Sequence, residues 1–256
     1  MRLARCLEHV SNMRLRRGRV ERMTWRQRFR AAYLLIVSAF IFACGGDDFD
    51  KIRNLRSAGE TIICFGDSLT EGVGAGTGED YPTVLSRQLG SPVINAGRRG
   101  DTTAQALQRL SAAVLQKRPR LVIVLLGGND FLRQLPRRET RRNLEEIVRR
   151  IQAEGAMVAI AGVRLGLFTD EFSSIFEETA ERFGALYIPQ VMKGVLTDSS
   201  LRSDSIHPNG AGYRLIAERI GAKVKRLLQE GDRLRVGNPA GSAGGSPDRP
   251  AGYRST

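Results

Sequence analysis

The chain carries few residues able to do acid–base or nucleophilic chemistry, and their spacing is informative. It has two histidines. His9 lies in a basic leader, so one imidazole, His207, is left for the body of the chain. It stands in Ser203-Asp-Ser-Ile-His-Pro-Asn209, three residues after an acid, Asp204. A serine, Ser68, stands in Phe65-Gly-Asp-Ser-Leu69, directly after the apolar run Thr61-Ile-Ile-Cys-Phe65. A hydroxyl is a poor nucleophile until a base takes its proton, and a histidine oriented by a carboxylate is the usual base. Ser68 also has a purely structural reading, as part of an N-cap in which Asp67 or Ser68 starts a helix.

The glycines after Ser68, in GVGAGTG, raise the alternative of a phosphate-cradling loop. A P-loop requires Lys and then Ser or Thr after its last glycine, and no Lys follows here. The dinucleotide pattern G-x-G-x-x-G fails as well, because Thr77 and Glu79 stand where the third glycine would be, counting from Gly72 or Gly74.

Elements that could position these residues follow from hydropathy. Short apolar runs at 61–65, 92–95, 121–126, 156–160 and 186–188 predict buried strands. Segments 80–89, 102–116, 138–153, 170–183 and 209–229 have helical periodicity, with Leu144, Ile147, Val148 and Ile151 on one face of the third. Strands alternating with helices predict an α/β fold, a three-layer α/β/α sandwich around a five-stranded parallel sheet of flavodoxin-like type. Ligand sites of such sheets lie beyond the carboxyl ends of the strands. Ser68, the segment Asn95–Thr103 and Gly127-Gly-Asn-Asp130 all follow strands there.

These four segments, in this order, resemble the SGNH (GDSL-type) hydrolase family over roughly residues 60–228. The resemblance is greatest to its bacterial periplasmic thioesterase, lysophospholipase and arylesterase branch, through NAGRRGDT, LVIVLLGGND and DSIHPNGAGY. It implies a catalytic triad of Ser68, His207 and Asp204. It also implies an oxyanion hole formed by the backbone N–H groups of Ser68 and Gly100 and the side-chain amide of Asn129. Asp67 and Asp130 match motif positions and are expected to make structural hydrogen bonds at strand ends. The implied reaction is hydrolysis of a small acyl ester or thioester through an acyl-enzyme, with no cofactor and no metal. Val163–Asp170 is shorter than the matching loop of the branch. Within it Leu165, Leu167 and Phe168 either line a substrate groove or cap the sheet. An envelope carbohydrate O-acetylesterase, and a non-catalytic envelope lipoprotein that retains the fold, are the alternative readings.

The net charge of +13 is unevenly placed. Residues 1–30 hold ten arginines against Glu8 and Glu21, a net of +8, which leaves +5 for the remainder. With basic and acidic residues interleaved through the body, nucleic acid is not an expected partner. Residues 31–44, AAYLLIVSAFIFAC, are apolar but shorter than the roughly 20 residues that cross a bilayer. A basic stretch, a short apolar run and small residues form a signal peptide. Ile41-Phe-Ala-Cys-Gly45 resembles a lipobox, which makes Cys44 the lipidation site; an uncleaved signal anchor is the alternative. Gly45 after the cysteine leans toward an outer membrane. The chain is thus expected to be exported and held on the periplasmic side of a bacterial membrane. Translation is expected to begin at Met23, which gives the leader ordinary proportions. Cys64, within an apolar run, is expected to be a buried structural residue rather than a nucleophile. The expected organisation is a leader over 1–43, a linker over 44–59, the hydrolase domain over 60–230 and a disordered tail over 231–256 rich in Gly, Pro and Ser.

Overall fold

A computed structural model describes residues 49–163 and 170–236. Five strands, β1 Thr61–Gly66, β2 Val93–Gly97, β3 Pro119–Leu125, β4 Met157–Ala161 and β5 Leu186–Ile188, form one parallel sheet in the order β2-β1-β3-β4-β5. Strands β1, β3 and β4 are almost wholly buried, as their continuous apolar runs require of a sheet covered on both faces. Strand β2, at one edge, is only half-buried. Register is set along the central pairs, with Phe65 opposite Val124 and Val124 opposite Ile160.

The helices are α1 Ser68–Glu71, α2 Tyr81–Leu89, α3 Thr103–Ala113, α4 Gly128–Leu132, α5 Arg137–Ala153, α6 Asp170–Phe183 and α7 Gly210–Val236. Helices α2 and α7 pack together as one layer, and α3, α5 and α6 pack side by side as the other. The predicted apolar face of α5, Leu144, Ile147, Val148 and Ile151, is fully buried. Helix α3 stops at Ala113, short of the predicted 116, and a single 3₁₀ turn over Leu115–Lys117 leads into β3.

Two boundaries differ from expectation. Residues 49–59, expected as linker, form a strap across the amino-terminal ends of the strands. Asn54 Nδ2 donates to the carbonyls of Gln152 (2.8 Å) and Ala156 (2.9 Å), the Arg53 N–H donates to the Gly184 carbonyl, and Leu55 is buried. Residues 231–236, expected in the disordered tail, continue α7. Gly231 lies so close to the Leu55 carbonyl that a Cβ there would come within 2.7 Å, and Asp232 pairs with Arg120 at 2.5 Å. The strap and the helix end stabilise one another, and neither partner is visible from local sequence. The expected start at Met23, the lipidation site Cys44, the groove residues Leu165, Leu167 and Phe168, and the tail from 237 lie outside the described residues.

Candidate active site

Every predicted site residue within the described segments lies at the carboxyl edge of the sheet. Ser68 is the first residue of α1, immediately beyond β1. Asp67 caps that helix, its Oδ1 accepting from the Leu69 N–H at 3.0 Å. The capping and nucleophile readings of this segment are therefore compatible, because the cap holds the turn that presents Ser68. His207 Nε2 lies 3.1 Å from Ser68 Oγ, and its Nδ1 lies 2.8 Å from Asp204 Oδ2. Asp204 Oδ1 accepts from the backbone N–H groups of Ile206 and His207, both at 2.8 Å. The Ile206 N–H foremost, and then the His207 imidazole, hold the Asp204 carboxyl down at about 2. Asp204 is thus an anion throughout the neutral range, although its side chain is 51% exposed.

Beyond β2, Arg98–Asp101 makes a four-residue turn closed by the Asp101 N–H on the Arg98 carbonyl. Gly100 sits in it at φ +77°, a conformation that suits glycine. Its carbonyl accepts from Arg133 Nη2 at 2.8 Å. Beyond β3, Asn129 lies in α4, and its Nδ2 donates to the Asp101 carbonyl (3.0 Å) and to Asp67 Oδ2 (3.3 Å). Asn129 therefore joins the nucleophile turn to the Gly100 turn. Asp130, expected to serve strand-end hydrogen bonding, is buried and accepts from the Thr103 N–H at 2.9 Å and Thr103 Oγ1 at 2.5 Å.

Three positioning groups escaped the sequence reading. Arg109 of α3 donates from Nε to Asp101 Oδ2 (2.5 Å), from Nη1 to the Ala96 carbonyl and from Nη2 to the Gly66 carbonyl (2.9 Å each), while its guanidinium lies 4.6 Å from the centre of the Phe65 ring. One side chain thus fastens the ends of β1 and β2 and the Gly100 turn. Tyr213 of α7 is buried and donates to the Val73 carbonyl at 2.8 Å, tying the helix that follows His207 to the turn that follows Ser68. Arg133 is the third. Arg109 and Arg133 are two of many arginines with no local pattern to single them out, and Tyr213, although it ends the DSIHPNGAGY motif, gives no local sign of its partner at Val73. Cys64 is buried inside β1 and its thiol is pushed up, chiefly by burial, which makes it unreactive.

Comparison with known proteins gives the chain its family. The family model described as the GDSL-like Lipase/Acylhydrolase family matches residues 64–215. The chain belongs to this family. It is 29% identical over 184 residues to Esterase TesA of Pseudomonas aeruginosa, covering 68% of this chain and 92% of that protein. It is 32% identical over 180 residues to the Thioesterase 1/protease 1/lysophospholipase L1 of Escherichia coli K12, covering 67% of this chain and 86% of that protein. Among solved structures, the psychrotrophic esterase EstA from Pseudoalteromonas sp., inhibited by monoethylphosphonate, superposes with a TM-score of 0.61 at 29% identity, over 66% of this chain and 99% of that one. The family membership read from the four segments, and the α/β fold read from the alternation of strands and helices, are thereby borne out.

Proposed function

We propose that the chain is a serine ester hydrolase that cleaves acyl esters or thioesters through an acyl-enzyme on Ser68. The observation that carries the reading is the continuous relay from Ser68 Oγ to His207 Nε2 (3.1 Å) and from His207 Nδ1 to Asp204 Oδ2 (2.8 Å). As Ser68 Oγ attacks the acyl carbon, His207 Nε2 takes its proton and then delivers it to the leaving alcohol or thiol. Asp204 holds the proton-bearing Nδ1 and stabilises the imidazolium. Water repeats the sequence on the acyl-enzyme, and the acid is released. The carbonyl oxygen, negative in each tetrahedral intermediate, is received by the N–H groups of Ser68 and Gly100 and by Asn129 Nδ2. Loss of one such donor costs about 3–4 kcal/mol of transition-state stabilisation. Asn129 already spends its amide protons on Asp67 and the Asp101 carbonyl, so it serves the oxyanion by sharing them.

The test is hydrolysis of p-nitrophenyl esters from acetyl to palmitoyl, and of an acyl-CoA, by the wild type and by Ser68→Ala. Turnover lost in the variant, which stays folded by circular dichroism, is the expected result. A preference confined to acetyl would favour the carbohydrate deacetylase reading. Serine-independent turnover, or none on any ester, would overturn the proposal.

The same reading places the chain outside the cytoplasm, held by a lipid on Cys44 or by an uncleaved apolar anchor. Its support is the order of basic leader, short apolar run and Ala43-Cys44-Gly45. Among the described residues, no helix is long and apolar enough to cross a membrane. Metabolic labelling with palmitate should mark the wild type and leave Cys44→Ser unlabelled.

A further inference from the structure

The point at which the chain enters the folded domain has a consequence for substrate. Phe49 lies beside Arg226 of α7, with the guanidinium 5.8 Å from its ring centre. Arg226 is sixteen residues along α7 from Gly210, about 24 Å at 1.5 Å per residue from the end of the helix next to His207. The strap then follows the amino-terminal ends of the strands. Arg53 bonds to Gly184 before β5, Asn54 to Ala156 before β4, and Gly59 lies against Pro119 at the start of β3. Ser68, Gly100 and Asn129 all follow the carboxyl ends of β1, β2 and β3. Entry and active site are thus on opposite edges of the sheet.

Cys44 precedes Phe49 by five residues, which span at most about 17 Å when fully extended. Such a tether is shorter than the distance along the domain from Phe49 to the catalytic edge. We infer that, when the chain is anchored at or just before residue 44, the amino-terminal edge of the sheet rests on the bilayer and the catalytic edge faces away from it. The entry edge also carries the exposed basic residues Arg53, Arg56, Lys117, Arg118, Arg226 and Arg235. Asp50, Glu60, Glu154, Glu230 and Asp232 are interspersed, with Asp232 paired with Arg120 and Glu230 with Arg233. A basic excess on this edge suits an anionic lipid surface, which attracts Lys and Arg held within a Debye length of it. The substrates that follow are esters and thioesters in solution, or projecting from another envelope layer, rather than lipids embedded in the leaflet that holds the anchor. This inference rests on the anchoring and hydrolase readings above.

The test uses the full chain in a Cys6→Ser background, reconstituted in vesicles of phosphatidylethanolamine with a minority of phosphatidylglycerol. One fluorophore is placed on Lys117→Cys at the entry edge, or on Leu132→Cys in α4 at the catalytic edge, where Leu132 is 49% exposed. Cys64 is buried and does not compete for label, and Cys44 is blocked by its lipid or, where the chain stays uncleaved, replaced by serine. Headgroup-quencher lipids should quench the Lys117 label several-fold more than the Leu132 label, with the difference reduced when phosphatidylglycerol is omitted. Equal quenching, or stronger quenching at Leu132, would overturn the orientation while leaving the anchor intact. The mass and vesicle flotation of the mature chain test the anchor separately: neither lipid nor flotation would remove the anchor and the orientation together. Hydrolysis of p-nitrophenyl butyrate by the same samples monitors the esterase reading independently of both.

Discussion

Asp67 shows how a residue next to the nucleophile can matter without touching substrate. Its carboxyl is pushed up to about 7, chiefly by burial, with the charges of Asp130 and Asp101 adding to the rise and the Leu69 N–H opposing it. Its ordinary value is 3.8, so between that pH and 7 the folded state binds a proton that the unfolded state has released. The resulting stabilisation is present in full below about 4 and is lost as the pH rises through about 7. Urea midpoints should therefore fall between pH 5 and pH 8 in the wild type and fall less in Asp67→Asn. Asparagine keeps an acceptor for Leu69 but turns an amide toward Asn129 Nδ2, so kcat should drop at every pH. A variant as pH-sensitive as the wild type would show that Asp67 is ionised well below neutrality.

At the scale of elements, the glycine-rich segment after Ser68 acquires a use other than phosphate binding. Gly74, at φ +92°, lies against the loop that carries the histidine: a Cβ there would fall 2.1 Å from Ser203 Oγ and 2.5 Å from the Pro208 carbonyl. Ser203 in turn donates from its N–H to the His207 carbonyl at 2.9 Å. Gly74→Ala should therefore push His207 away from Ser68. A displacement of about 1 Å in a reacting geometry costs on the order of 10²-fold in rate, and kcat should fall by that order. Gly90→Ala is the control, because Gly90 has φ +64° and open space around its Cβ position. It should lose stability by about 1–2 kcal/mol from the left-handed conformation and keep wild-type kcat. Equal losses of activity in the two variants would mean that backbone strain, and not the seating of the His207 loop, is what Gly74 relieves. The strands and motifs were legible because apolar runs and strand-end polar residues are local signals. The seating of one loop on another was not, since it joins residues more than a hundred positions apart.

The whole molecule closes through contacts that local sequence does not report. Asn54 reaches partners 98 and 102 residues away, and Arg120 reaches Asp232 across 112. A mixed-charge segment and a polar chain end therefore look like linker and tail in the sequence, although each supplies half of one packed junction. Two truncations separate these views. Removing residues 230–256 takes Gly231 from the Leu55 carbonyl, Leu234 from the edge of the core and Asp232 from Arg120, whose side chain is only 15% exposed. Removing residues 237–256 leaves every one of these contacts in place. The ion pair itself contributes little, because the Asp232 side of it is 56% exposed and screened by water. Lost apolar packing and an uncovered strap should dominate. With a melting shift of about 2–4 °C per kcal/mol for a domain of this size, the longer deletion should lower Tm by about 5 °C or more relative to the shorter one. Activity on p-nitrophenyl esters at 25 °C should be the same for both, because the junction lies at the edge of the sheet opposite Ser68. Equal melting temperatures would show that α7 carries no stability beyond Gln229 and that the strap holds without it.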